Sequence, residues 1–437
     1  MAARPDTVAQ SQNSAGATKP TRTRWWILIL ISVMYLICYM DRSNISVAQP
    51  EIARQFHLSK SAMGLVLAAF TWAYALGQVP AGWLGDRFGA KKVLTVIMTW
   101  WSAAAMMTGA AIGLTSLFGA RFLLGIGEAG AFPVASRGMW VWFPRSERGR
   151  IQGVTHFFSR FAVAVTPFVA GSILIALGWR AIFYIFGSLG ILWAVIFNLY
   201  YKNRPEDHPH VNASELAEIR SDLSDSRARE RSPAPWRRIL LAPNMWFVSA
   251  AYACFFFGTN FYLTWYPTYL REHRHLSLTS LGFWGSVPLF AGMVGDLFGG
   301  SLSDAIFRRK NSARLARRVV AAPGFVLAGL FVIPAALTTQ PEASILYLAA
   351  SFFCLEWVIG PAWAVPMDIG GQFSGTVTGV MNMVGAFGGS LAAIVYGNLF
   401  DKGMWVAPFY VSAIVMGIGA LIWIFLINPD KSVVEPL

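Results

Sequence analysis

GWLGDRFGAKK, residues 82–92, decides the fold. It joins the end of one apolar stretch (61–84) to the start of the next (92–112). Gly82, Asp86, Arg87, Gly89, Lys91 and Lys92 are gathered at this turn. Glycines at a helix end let two helices approach closely, and a carboxylate there can meet the positive N-terminus of a neighbouring helix. The combination reads as a clasp. A second copy, GSLSDAIFRRK at 300–310, repeats the Gly-x-x-x-Asp spacing, with Asp304 in the place of Asp86 and Ala305 in that of Arg87. The copies lie half a chain apart, the sign of an internal duplication of the kind that puts a binding site between two halves near the bilayer midplane. Loss of the arginine predicts a weaker second clasp.

Outward from these turns, apolar segments fall at 25–48, 61–84, 92–112, 115–138, 152–175 and 180–200. A second set follows at 244–269, 278–303, 319–338, 343–366, 373–397 and 405–427. Each has about the 20 residues needed to cross a bilayer. A lipid-exposed backbone must satisfy its own hydrogen bonds, so each reads as a helix. The expected fold is an all-α membrane protein with twelve transmembrane helices in two pseudo-symmetric six-helix bundles, 25–200 and 242–428. Residues 1–24 read as a disordered cytoplasmic tail without the early apolar region of a secretory signal, and 429–437 as a second tail. The polar stretch 201–241 reads as a cytoplasmic linker, with a short surface helix in SELAEIRSDL (214–223) started at Asn212.

Composition agrees. Charged residues make up 13% and hydrophobic ones 55%, against about 25% charged in soluble domains. The net charge of +13 follows topology rather than nucleic acid, because the basic residues gather in alternate loops. They stand at Lys19, Arg22 and Arg24; at Arg87, Lys91 and Lys92; at Arg145, Arg148 and Arg150; and from Arg308 to Arg318. By the positive-inside rule both termini are cytoplasmic. Cys38, Cys254 and Cys354 all lie in apolar segments with no ligand-like spacing, so neither a disulfide framework nor a metal site is expected. No nucleophile–base set appears, so the chain does not read as an enzyme, and no cofactor is implied.

Ionisable residues inside membrane helices are functional candidates by default. Asp41 and Arg42 lie well inside the first segment. They form either a structural ion pair or two separate devices, since adjacent helix positions point about 100° apart. Arg121 and Glu128 are seven residues apart, nearly two turns, and share a helix face. Arg160, Asp296 and Glu356 are three further buried charges. Arg160 and Asp296 both fall roughly 12–14 Å inside their helices, which predicts an Arg160–Asp296 pair across the two halves, with Glu356 as the competing partner or a substrate carboxylate as the alternative. His156, one turn before Arg160, titrates near neutrality in the ordinary case.

GWLGDRFGAKK resembles the loop motif G-x-x-x-D-R-x-G-x-K-K of the major facilitator superfamily. YMDRSNISVAQPEI (39–52), RFLLGIGEAGAFPVASRGMWVWFPRSERGR (121–150) and WAVPMDIGGQFSGTVTGVMN (363–382) are similar to the anion:cation symporter family within it, in the style of bacterial galactonate, glucarate and hexuronate carriers. The resemblance implies a proton-coupled symporter of a small organic anion, a sugar acid such as a hexuronate, aldonate or aldarate. It implies Asp41 and Glu128 as proton carriers and Arg42 as the carboxylate ligand, with Arg121 a switch that depends on Glu128. Tyr39, Tyr74, Trp363 and Asn382 match substrate-contacting positions, while Asn260, Tyr262 and Trp265 follow from helix placement alone. The expected partners are a small anion, protons and the lipid bilayer, with no nucleic acid. The expected state is a multi-pass monomer of a bacterial inner membrane. The rivals are an anion exchanger or exporter of the same fold and a non-transporting membrane receptor.

Overall fold

The computed structural model describes residues 19–221, 233–276 and 278–434. Its regular structure is helical, with no strand among the described residues. The first half holds α1 (Thr23–Gln55), α2 (Lys60–Phe88), α3 (Ala90–Gly109), α4 (Leu114–Glu128), α5 (Ala131–Trp142), α6 (Arg148–Leu177) and α7 (Trp179–Tyr200). The short α8 (Ala213–Arg220) and α9 (Trp236–Leu241) lie in the connection. The second half holds α10 (Pro243–Asn260), α11 (Tyr266–Thr268), α12 (Leu278–Lys310), α13 (Ala313–Leu337), α14 (Pro341–Glu356), α15 (Ile359–Gly370), α16 (Ser374–Asp401) and α17 (Ala407–Phe425). Eight helical stretches among the described residues are long and apolar enough to cross a membrane.

The duplication is visible in the packing. In the first half α1 lies on α6, α2 on α4 and α3 on α7; in the second, α10 lies on α16, α12 on α14 and α13 on α17. Two seams join the halves, α2 against α16 and α6 against α12. Each half also has one crossing broken in the middle, between α4 and α5 and between α14 and α15. A proline follows each break: Pro133 and Pro361 have no N–H to give the carbonyls four residues back, at Ala129 and Trp357. Each break follows directly on a glutamate, Glu128 in one half and Glu356 in the other.

The clasp is an interface between halves. The Asp86 carboxylate accepts the backbone N–H of Gly375 (2.9 Å) and of Thr376 (2.6 Å), together with the Thr376 hydroxyl (2.6 Å). It thereby caps the start of α16, where backbone donors lack intrahelical partners. Gly82 is required there, since a Cβ on it would sit 2.3 Å from the Gly375 carbonyl oxygen.

The second clasp is not degraded, contrary to the sequence expectation. Asp304 accepts the N–H groups of Gly149 (3.1 Å) and Arg150 (2.6 Å) at the start of α6. The fully buried Arg317 of α13 also donates to it at 2.6 Å. Ala305 costs nothing because the first copy does not use Arg87 on its carboxylate either. Arg87 lies over the Trp83 and Phe88 rings, and the cation nearest Asp86 is Arg137 at 3.8 Å. Lys91 enters through its backbone N–H, bonded to Asn203, and Lys92 lies over Phe88. Gly89 turns the chain at φ 83°.

Breaking a buried pair by removing one partner costs about 3 kcal/mol or more. Asp304→Asn is therefore expected to lower the melting temperature at least as far as Asp86→Asn, since it also weakens the hold on Arg317. Thermal unfolding in detergent checks this; an effect of Asp304→Asn well below that of Asp86→Asn would mean that the second clasp is idle.

The described residues ahead of α1 are tied in. Residues 1–18 of the expected N-terminal tail and 435–437 of the expected C-terminal one lie outside the described residues. Glu215 of α8 accepts the N–H groups of Thr23 (3.2 Å) and Arg24 (2.9 Å) and the Thr21 hydroxyl (2.6 Å), so the connection caps α1. Residues 19–24 are thus anchored, and the first helix begins at Thr23. The surface helix begins at Ala213, with the Asn212 side chain accepting from the Glu215 N–H at 2.8 Å; residues 222–223 of its expected length are outside the described residues.

Candidate functional site

The broken crossing brings Glu128, at the end of α4, against the middle of α1. Arg42 Nε donates to Glu128 Oε2 at 2.7 Å, with 20% of the arginine side chain exposed and none of the glutamate. The guanidinium sits in an aromatic cage. Its centre is 4.3 Å from the Tyr74 ring centroid, 5.1 Å from Tyr39, 5.4 Å from Phe132 and 5.5 Å from Phe70. Cation–π contacts are worth about 0.5–2 kcal/mol each. They hold the arginine without neutralising it, so the cage keeps a cation poised with one counter-ion and one open side. Cys38 completes the pair by donating weakly to Glu128 at 3.3 Å.

Asp41 and Arg121 stand behind this pair. Asp41 is fully buried beside Trp101, Glu128 and Arg121, and Arg121 lies over the Phe70 ring at 5.1 Å. Of the two sequence readings, separate devices is the one the geometry takes: Arg42 turns to Glu128, and Asp41 to the Arg121 side. Two cations and two carboxylates therefore share one apolar interior. With all four groups ionised, that cluster is neutral.

A second cluster bridges the halves. Arg160 of α6 gives Nη2 to both oxygens of Glu356, at 2.8 and 2.9 Å, and the Thr259 hydroxyl reaches the same carboxylate at 3.5 Å. The expected Arg160–Asp296 pair is thereby corrected to Arg160–Glu356. The α14 break brings Glu356 across to the arginine, whereas Asp296 is held beside the glutamate.

The other expected residues take these places. Asn382 of α16 donates to the Tyr74 hydroxyl at 3.2 Å, tying the second half to the Arg42 cage. Trp363 is fully buried and donates to the Tyr252 hydroxyl at 2.9 Å, with its ring 4.9 Å from His156 and 5.6 Å from Phe132. It closes the space between the halves, and His156 serves that packing. Asn260 ends α10, half-buried. Gly82, Asp86 and Arg87 lie toward the end of α2, beyond Tyr74 at its middle, and Lys91 and Lys92 open α3. Sequence reasoning did not anticipate Phe70 and Phe132 as cage walls, since apolar rings in membrane helices carry no signal of their own. It also missed Asp368, which holds Arg148 (2.7 Å), Arg145 (3.3 Å) and Arg317 (3.6 Å) beside the second clasp; Asp368 and Arg317 at the ends of apolar segments were the available hint.

An all-helical, duplicated fold with buried opposing charges, together with the similar proteins that follow, defines a membrane transporter rather than an enzyme. The profile of the Major Facilitator Superfamily matches residues 31–393, and the chain belongs to that superfamily. Among similar proteins is the "Probable sulfoacetate transporter SauU" of Cupriavidus necator, 40% identical over 95% of this chain and 96% of that one. The "Probable galactarate/D-glucarate transporter GudP" of Escherichia coli K12 is 32% identical, over 94% of each chain. The "D-galactonate transporter" of another Escherichia coli strain is also 32% identical, over 95% and 98%. A crystal structure of the superfamily transporter FucP, in its outward conformation, shares the fold at a TM-score of 0.69 and 13% identity, covering 92% of this chain and 99% of that one.

Proposed function

We propose that the chain is a proton-coupled symporter of a small organic anion, working by alternating access of two six-helix bundles. On this reading twelve helices cross a bacterial inner membrane, both termini are cytoplasmic and the carrier acts as a monomer. The observation that carries it is the Arg42–Glu128 pair in its aromatic cage. Closing over a net charge in an apolar interior costs several kcal/mol. A proton on Glu128 frees Arg42, and the anion then takes the place of the carboxylate with the charge count unchanged. Asp41 takes a proton by the same logic, with Arg121 as its cationic neighbour among the described residues. The planar fork of Arg42 suits a carboxylate or sulfonate taken bidentately.

The substrate is a sugar acid on the first reading, in line with the names of the galactonate and glucarate relatives. Tyr39, Tyr74 and Asn382 supply its hydroxyl contacts, with Asn260, Trp363 and Arg160 around it. A short sulfonated carboxylate is the second reading. It is favoured by the name of the 40% identical relative and by a cage that is mostly aromatic, with few partners for a polyol. Concentrative uptake into proteoliposomes under an inward proton gradient decides between them, with hexuronates, aldonates, aldarates and sulfoacetate as the panel. Uptake that collapses with a protonophore is the expected result. Counterflow that ignores the gradient would make the protein an exchanger instead.

A further inference from the structure

We propose that Asp296 and Glu356 form a second proton-binding site, a carboxyl pair that shares one proton and holds Arg160 across the interface of the halves. The inference rests on the reading of the chain as a proton-coupled carrier and adds a proton that the first cluster does not use.

Both carboxyl groups are fully buried and Arg160 nearly so. Glu356 takes the guanidinium on both of its oxygens. Asp296 lies on α12 one turn after Gly292, where a Cβ would sit 3.1 Å from Glu356 Cγ, and next to Gly295, where one would sit 2.3 Å from the Phe353 carbonyl oxygen, yet neither of its oxygens accepts a hydrogen bond from the described residues. The backbones of α6 and α12 meet closely at this seam, since a Cβ on Gly153 of α6 would sit 2.2 Å from the Asp296 carbonyl oxygen.

Among the described residues the surroundings contain one cation. From α6 come Arg160 and His156, whose Nδ1 is bonded to the Gln152 carbonyl. From α1 comes Tyr39. From α10 and the turn after it come Thr259, Tyr252 and Tyr262, and from α14 Cys354 and Glu356. Arg317 of α13 is committed to Asp304, two turns along α12, and Asp368 of α15 to the arginines there. Arg145 and Glu147 lie beyond that clasp, while Arg271, Glu272 and His273 lie at the opposite end of α12.

With both acids ionised, the trio would carry one uncompensated negative charge, which an apolar interior opposes strongly. One proton removes it. Asp296 then donates its O–H to Glu356, Glu356 remains the counter-ion of Arg160, and the sum is zero. Placement supports a proton role, since Glu356 stands just before the α14–α15 break as Glu128 stands before the α4–α5 break. In the register that aligns Asp86 with Asp304, Asp296 falls opposite the neutral Gln78. Because Arg160 and Glu356 belong to different halves, their separation opens the pair to water. There the proton leaves to the solvent or is taken from it, one per cycle.

Infrared difference spectra of the reconstituted protein test this without transport. Wild type minus Asp296→Asn should show a protonated-carboxyl C=O band at neutral pH. Glu356→Gln should remove the same band, because Arg160 is then left to Asp296, which ionises. In proteoliposomes taking up sulfoacetate or D-galactonate without sodium, reversal-potential measurement should give one proton fewer per substrate in Asp296→Asn. If neither variant removes a protonated-carboxyl band, or the band yields to sodium rather than to pH, the site is an ordinary ion pair or a cation site and the inference falls. An unchanged stoichiometry in a coupled wild type also overturns it. A wild type without proton coupling would instead refute the proposed function, with the infrared band still deciding the carboxyl pair. If Asp296→Asn fails to insert, Glu356→Gln carries the spectral test.

Discussion

Arg42→Ala is expected to remove substrate binding while leaving the protein inserted. Truncating one member of a buried, hydrogen-bonded charge pair costs about 2–5 kcal/mol, roughly 30- to several-thousand-fold in affinity. Two losses add here. The substrate anion loses its fork, and Glu128, with no exposed surface, loses its counter-ion and must stay protonated. Arg42→Lys should recover only part of the affinity, because a point charge on a flexible stem neither forks nor stacks as a planar guanidinium does. The four rings around Arg42 are shaped around that plane. Calorimetric titration of the reconstituted variants, with the anion found by uptake, gives the numbers. Binding by Arg42→Ala within about threefold of wild type, under 1 kcal/mol, would move the anion site elsewhere.

Glu128→Gln is expected to separate binding from coupling. Glutamine has the shape of the protonated acid and no charge, so Arg42 is released permanently. In the wild type the Glu128 carboxylate competes with the substrate anion for Arg42. The variant removes that competitor and keeps the high-affinity state. Counterflow exchange survives, whereas accumulation under a proton gradient falls toward unity. Each coupled proton is worth about 1.4 kcal/mol, tenfold in concentration ratio, per unit of pH gradient. Asp41→Asn should cut accumulation similarly, but without altering the Arg42 cage. Concentrative uptake by Glu128→Gln equal to wild type would remove Glu128 from the coupling path.

These expectations rest on a site that was partly legible beforehand. Asp41, Arg42, Arg121 and Glu128 stood out because a charge in a membrane helix is costly enough to need a reason. Helical spacing put Arg121 and Glu128 on one face. Spacing could not say that Glu128 turns to Arg42, because that depends on how α4 lies against α1. The Arg160 pairing failed for a related cause. Depth estimates along two helices made Asp296 reachable, but the break in α14 brings Glu356 to the arginine first. The second clasp was underrated because one arginine was missing from its motif, although the carboxylate is satisfied there by helix N-termini and by an arginine from α13.

The halves consequently look more alike than the sequence suggested. Each has a clasp carboxylate capping a helix of the other half, a broken crossing with a proline after it and a glutamate at the break. What differs is the cation: Arg42 comes from the same half as Glu128, whereas Arg160 crosses over to Glu356.

Hydropathy, loop charge and the repeated Gly-x-x-x-Asp determined by themselves that this is a duplicated helical membrane protein, because lipid leaves the backbone few alternatives and duplication leaves a register. The same signals located GWLGDRFGAKK as a clasp. Only the tertiary structure decided what it grips, the start of α16 in the other half, and which carboxylate meets which arginine. Pairing in a low-dielectric interior is settled by ångström-scale placement of side chains from distant helices, and one-dimensional spacing does not carry that information.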